Sequence, residues 1–193
     1  MSIQITIVGL GQIGTSIGLA LKDRKDLLRR IGHDKEPNVA RQAEKLGALD
    51  QVSFNLPSAV RQADVVVLAI PVDEMRNTLE IIMQEIKPGC VIVDTSPVKR
   101  SVMDWVSDLL PENRYFVAIT PTLNPAYLHE HNQGVDAAHE DLFKDGLMII
   151  TTPPNTANEA IKLASDLSSM LGSTPLFSDP YEADGLFAAS HML

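Results

Sequence analysis

The feature that most limits what this chain can fold into is a β-branched run, Ile3, Ile5, Ile7 and Val8, that stops at Gly9 and passes at once into helical spacing. Such a run with turn residues behind it reads as a buried strand. From Gln12 to Lys25 the apolar residues Ile13, Ile17, Ala20 and Leu21 recur at three- and four-residue intervals, which predicts a helix directly after the turn. The alternation then repeats. Strands are predicted at Arg29–Gly32, Gln51–Ser53, Val65–Ile70, Val91–Asp94, Tyr115–Ile119, Leu147–Thr151 and Thr174–Phe177. Helices are predicted after Pro37 to about Leu46, then over Asp73–Ile86, Val98–Leu110 and Thr156–Leu171. Strands alternating with helices of this length mean crossover connections, hence an α/β fold with a doubly wound, mostly parallel sheet covered on both faces. Between Thr120 and Asp145 periodicity fails, and a long loop with at most one helical turn is expected.

The turn itself carries a motif. Gly9-Leu10-Gly11-Gln12-Ile13-Gly14 matches G-x-G-x-x-G, follows a strand, opens a helix, and is trailed by Asp34 at the end of the second strand. Gly9 permits the tight turn, Gly11 lets a pyrophosphate approach the backbone, and Gly14 allows the helix to pack closely. Free N–H groups of Gln12, Ile13 and Gly14 then face the anion with the favourable end of the helix dipole. This is the signature of a Rossmann-type dinucleotide site. The competing interpretation is a merely glycine-rich turn.

Asp34 bears on which dinucleotide binds. A carboxylate there accepts the adenosine ribose hydroxyls and repels a 2′-phosphate, favouring NAD over NADP, whereas Lys35 beside it softens that preference. Asp34 as a helix N-cap is the alternative. Ligands in open parallel sheets sit outside the carboxyl ends of the strands, which selects Ile70-Pro71 as apolar flanks for a ribose and Thr95-Ser96 as hydroxyls near the nicotinamide. Ser96 equally suits an N-cap of the helix predicted from Val98. Lys99 and Arg100 read as solvated surface charge. Asp64 reads as a turn or cap residue, and Trp105 as packed. His129, His131 and His139 admit a surface-loop, an acid/base and a metal interpretation, but no further ligands accompany them and no metal is expected.

Composition excludes several classes. The 193 residues carry 16 basic and 25 acidic side chains, a formal charge of −9, so nucleic acid and anionic membranes are poor partners. The single cysteine, Cys90, forbids an internal disulfide and suits a reducing compartment. No apolar run is long enough to span a bilayer and no basic leader opens the chain, so a cytoplasmic protein with a small-molecule substrate is expected. Residues 1–178 are expected to form the dinucleotide-binding domain. The helical pattern from Pro180 stops abruptly at His191-Met192-Leu193, so residues 179–193 read as the beginning of a linker or second domain.

Taken together, Ile7 to Gly18, Gly32-His33-Asp34, Ala63 to Pro71 and Val93 to Lys99 resemble the nucleotide-binding domain of the prephenate/arogenate dehydrogenase family. Gly134-Val135, Asp141-Leu142-Phe143 and the tail from Ala183-Asp184 to Ser190-His191 resemble further family segments. The resemblance implies an NAD(P)-dependent dehydrogenase of tyrosine biosynthesis, with hydride transfer and oxidative decarboxylation, completed by a helical domain through which the family forms homodimers. It also places Thr120 and Ser96 at catalytic positions. There the chain departs from the family, which puts a histidine before proline where this sequence has Thr120-Pro121, and a serine where it has Pro97. The loop after Thr120 is also longer. A non-catalytic sensor module, or a related β-hydroxyacid or imine dehydrogenase, are the alternatives.

Overall fold

The computed structural model describes residues 2–190. β1 (Ile3–Val8) runs into α1 (Gln12–Ala20), β2 (Leu28–His33) into α2 (Pro37–Lys45), β3 (Gln51–Val52) into α3 (Leu56–Val60), and β4 (Val65–Leu68) into α4 (Val72–Ile82). β5 (Val91–Asp94) leads to α5 (Arg100–Leu109), and β6 (Tyr115–Pro121) to a long connection. β7 (Leu147–Thr151), α6 (Asn158–Met170), β8 (Thr174–Phe177) and α7 (Pro180–Ser190) follow. The strands form one sheet in the order β3-β2-β1-β4-β5-β6-β7-β8. Every pairing is parallel except that of β6 with β7.

The expected doubly wound sheet is therefore present. Its winding reverses at β1, because β2 and β3 step outward on one side and β4 opens the other. The four residues of β4, Val-Val-Val-Leu, are all buried, as a strand covered on both faces requires. One core gathers Ile7, Ile17, Ala40, Ala43, Val67, Leu142 and Leu167 under α1, α2 and α6. The other gathers Val60, Leu68, Met75, Leu79, Ile92, Val102 and Phe116 under α3, α4 and α5, with Trp105 packed against it.

Several element ends differ from the sequence expectation. α1 stops at Ala20, and a 3-10 turn over Lys22–Arg24 replaces its last turn, because the charged run there has no apolar face to bury. α3 carries no periodicity to read; it is set by Asn55, whose side chain accepts the Ser58 N–H at 2.9 Å, with proline in the first turn. β4 ends at Leu68 and not Ile70, so that Ala69 to Pro71 form the turn into α4. α4 ends at Ile82, and α5 begins at Arg100 instead of Val98. The connection after β6 holds two 3-10 turns, Pro125–Tyr127 and Gly134–Ala137. α7 matches the helix expected from Pro180, while His191 to Leu193 lie outside the described residues.

Candidate functional site

Strand register builds the site. Val8 lies beside His33 on one flank and Leu68 on the other, and the same row continues through Asp94 and Ala118. The next residues, Gly9, Asp34, Ala69 and Thr95, therefore leave the sheet together at its carboxyl edge. Three backbone bonds lock that edge: Gly9 N–H to His33 O (2.9 Å), Ala69 N–H to Val8 O (2.8 Å) and Thr95 N–H to Leu68 O (3.0 Å).

The three glycines of the motif do different work. Gly9 sits at φ +87°, where a Cβ would strike the Ala69 carbonyl oxygen at 2.3 Å. At Gly14 a Cβ would meet the Gly9 carbonyl oxygen at 1.9 Å, so this glycine allows α1 to close onto the turn. At Gly11 a Cβ would meet nothing within 4 Å. Gly11 thus borders open space while its neighbours are packed, the arrangement a pyrophosphate needs. The Thr15 hydroxyl donates to Leu10 O at 2.8 Å and braces the turn from inside. Asp34 braces it from outside, accepting the Leu10 N–H at 2.7 Å through one oxygen and the Glu36 N–H at 2.9 Å through the other. Glu36, not Asp34, is the N-cap residue of α2, which removes the cap interpretation.

A cleft of about 650 Å³ opens over this edge. Its wall includes Gly9, Gly11, Gln12, Ile13, Asp34, Lys35, Ile70 and Pro71 from the sequence-derived set. Sequence reasoning missed Val39, Leu56, Asn77 and Thr78, and also Gly134 and Val135 from the long connection. Lys35 is exposed and pairs with Glu74, another wall residue. Gly14 lies behind the turn. Thr95, Ser96 and Thr120 are not on this wall.

Ser96 belongs to a second, buried arrangement at the ends of β5 and β6, with Thr95 beside it where the chain leaves β5 and Thr120 in β6. Lys99 is fully buried, which corrects its expectation as solvated charge. Its ammonium donates to Asp94 Oδ2 (3.3 Å), to Ile119 O (3.0 Å) and to Ser96 O. Asp94, also fully buried, accepts the Ser96 N–H (2.8 Å) and Ser96 hydroxyl (2.9 Å) as well. Burial pushes the Asp94 carboxyl up and the Lys99 ammonium down, and the pairing of each with the other opposes both shifts. Ser96 does not cap α5, because its hydroxyl is committed to Asp94 and Val98 O. The cap comes from Asp184 on α7, which accepts the N–H groups of Lys99 (2.7 Å) and Arg100 (3.2 Å). Thr95 donates its hydroxyl to Leu68 O at 3.0 Å. Thr120 is buried, and its hydroxyl has no partner among the described residues.

The long connection folds against α1. His139 stacks on Tyr127 with ring centroids 3.8 Å apart, meets Glu130 Oε2 at 2.6 Å, and donates its backbone N–H to Ser16 Oγ at 3.0 Å. That contact with His139 holds Glu130 below the usual carboxylate range. Among the described residues no cluster of three or more His, Cys, Asp or Glu side chains is arranged to hold a metal ion. Cys90 is buried, which pushes its thiol up to about 12 and leaves it unreactive near neutral pH.

Comparison with known proteins adds an independent line. The family model for the prephenate dehydrogenase nucleotide-binding domain matches residues 17–174. That match begins after the glycine turn, so the turn geometry is a separate observation. The prephenate dehydrogenase of Bacillus subtilis strain 168 is 32% identical over 183 residues, covering 94% of this chain and 48% of that protein. The cyclohexadienyl dehydrogenase of Zymomonas mobilis is 33% identical over 168 residues, covering 87% of this chain and 55% of that one. The chain therefore spans about half the length of these relatives. Among solved structures, prephenate dehydrogenase from A. aeolicus, in complex with hydroxyphenyl propionate and NAD+, superposes with a TM-score of 0.84 at 21% identity. That superposition covers 97% of this chain and 63% of the other.

Proposed function

This chain belongs to the prephenate dehydrogenase family, matched through that family's nucleotide-binding domain, and from that membership we propose that it is the cofactor-binding half of an NAD-dependent dehydrogenase. The observation that carries the reading is the contrast at the turn. Gly9 and Gly14 have no room for a side chain, while Gly11 faces open space at the point where the sheet reverses its winding. The residues present fit a dinucleotide. Gln12, Ile13 and Gly14 would offer the pyrophosphate their first-turn N–H groups, Asp34 would take the adenosine ribose, and Ile70 and Pro71 would flank a ribose. An Asp34 carboxylate at that spot favours NAD, and Lys35 on the same wall, paired with Glu74, softens that preference.

A bound nicotinamide would supply the hydride acceptor. The substrate would be a hydroxylated cyclohexadienyl acid of the prephenate or arogenate type, by analogy with the named relatives. Ser96 and Thr120 are the substrate-side candidates at the ends of β5 and β6. Neither is a base near neutral pH, so the proton acceptor for the substrate hydroxyl would come from elsewhere. A homodimer formed through a further helical domain, and a cytoplasmic setting, complete the proposal. No helix of the described residues is long and apolar enough to cross a membrane.

Thr120 also supports a second reading. Its buried hydroxyl, at the place where the family resemblance expects a histidine, suits a dinucleotide-binding module that senses cofactor without turning substrate over. Incubating the protein at its natural length with NAD and prephenate or arogenate, and following absorbance of the reduced nicotinamide, separates the two. Turnover removes the module reading. Cofactor binding without turnover removes the dehydrogenase reading, and absence of binding to either nicotinamide cofactor removes both.

A further inference from the structure

Asp184 reaches the β5–α5 junction from the far end of the sequence. It lies on α7, 85 residues from Lys99, yet one of its oxygens accepts the Lys99 backbone N–H at 2.7 Å and the other the Arg100 N–H at 3.2 Å. α5 has no side-chain cap of its own, so this carboxylate satisfies the first free donors of the helix and meets the favourable end of its dipole. Two further observations place α7 against the rest of the fold. Ala183 is fully buried, and the Arg100 guanidinium lies 4.4 Å from the centre of the Tyr181 ring.

The clamped residue is the one whose ammonium ties the strand ends together. Lys99 spends its three donors on Asp94, Ser96 O and Ile119 O, the last being the residue before Thr120. Fixing the Lys99 backbone fixes where that ammonium sits, and with it Ser96 and the end of β6. We propose that Asp184 is a positioning residue, acting through Lys99, by which α7 sets the geometry of the substrate side of the site. Movement of α7 would then be felt at Ser96 and Thr120 while leaving the glycine turn, which follows β1 and is separated from β5 by β4, undisturbed. This inference rests on the dehydrogenase reading for its effect on turnover, but not for the clamp itself.

The test compares the natural-length protein with D184A, which removes both acceptors, and D184N, which keeps an oxygen for the Lys99 N–H. Titration with NAD by calorimetry comes first and is expected to give the same affinity in all three. With substrate, D184A is expected to lower kcat by about a hundredfold, the scale of a misplacement of roughly 1 Å at a reacting centre, and D184N to recover most of that loss. Unchanged kcat in D184A overturns the proposal. So does loss of NAD affinity alongside kcat, since Asp184 would then support the whole fold. If the unsubstituted protein binds NAD but turns nothing over, the dehydrogenase reading fails, and the Lys99 ammonium observed by ¹⁵N NMR decides the clamp. Its signal should be shielded from water exchange in the unsubstituted protein and D184N and lost in D184A. Retention in D184A sinks the inference.

Discussion

The carboxylate of Asp34 and the backbone N–H of Leu10 are joined by a 2.7 Å hydrogen bond, so the acidic residue at the end of β2 holds the glycine turn that it stands beside. Its second oxygen is turned to Glu36 N–H, which fixes the plane of the carboxylate at the mouth of the cleft. An acceptor held in this way is already oriented toward the cleft.

Replacing Asp34 by serine removes that acceptor and its charge together. Loss of a hydrogen bond to a charged group costs about 1.5–3 kcal/mol, so NAD affinity should fall by roughly tenfold or more while discrimination against NADP narrows. Parallel titrations with both cofactors check this. A weakened but unchanged NAD/NADP ratio would make Asp34 a brace for the turn and nothing more.

Substitutions at Gly11 and Gly14 should separate binding from folding. A valine at Gly11 points into open space, so the melting temperature should hold while dinucleotide binding is abolished. An alanine at Gly14 meets the Gly9 carbonyl oxygen, and overpacking of this kind costs about 1–3 kcal/mol or more. Thermal unfolding by circular dichroism, paired with calorimetry, reads both effects. A normal affinity in G11V would refute the pyrophosphate assignment.

Lys99 should be a stability residue as well as a site residue. K99M leaves the Asp94 carboxylate buried without its countercharge, and breaking a buried pair from one side costs about 3–5 kcal/mol. Removing the charge from both sides in the double variant D94N/K99M should recover much of that loss. Urea unfolding of the two variants measures it, and equal stability of K99M and the unsubstituted protein would contradict the buried pair.

Acid should weaken the fold through Asp50. The Arg30 guanidinium is buried and held by Asp50 at 2.7 Å, with Gly18 O and Gly47 O as further acceptors. Its hydrogen bond holds the Asp50 carboxyl below the ordinary value of 3.8. A depressed carboxyl contributes stability that is fully present above the unfolded-state value and is lost as pH falls through the folded one. Melting temperature should therefore decline with acidification below pH 3.8, and D50N should be less stable at neutral pH with a flatter acid limb. A D50N acid limb as steep as that of the unsubstituted protein would place the titration elsewhere.

Much of this was legible in the residues because the signals are local. The β-branched run ending at Gly9, the spacing to Gly14 and the acidic residue at the next strand end are all set by neighbours in sequence, and each has one backbone geometry that satisfies it. Alternation predicts a mostly parallel sheet covered on both faces, whereas the strand order and the antiparallel β6–β7 pair come from the fold. α3 was hidden because a single capping asparagine, not a period, creates it.

Lys99 and Asp184 show what local pattern cannot supply. Lys99 stands in a charged pair with Arg100, which reads as surface, yet parallel register brings the β5 and β6 ends together and closes Asp94, Ser96 and Ile119 around its ammonium. Asp184 has no partner nearby in sequence; packing of α7 against α5 and β7 delivers its oxygens to Lys99 and Arg100. Linear order was thus enough to determine a mostly parallel α/β sheet with a G-x-G-x-x-G turn after its first strand, since helix period, strand period and turn chemistry are short-range. Which charges are buried, and which distant carboxylate caps which helix, was decided only on folding, because desolvation and pairing depend on what the sheet brings within a few ångströms.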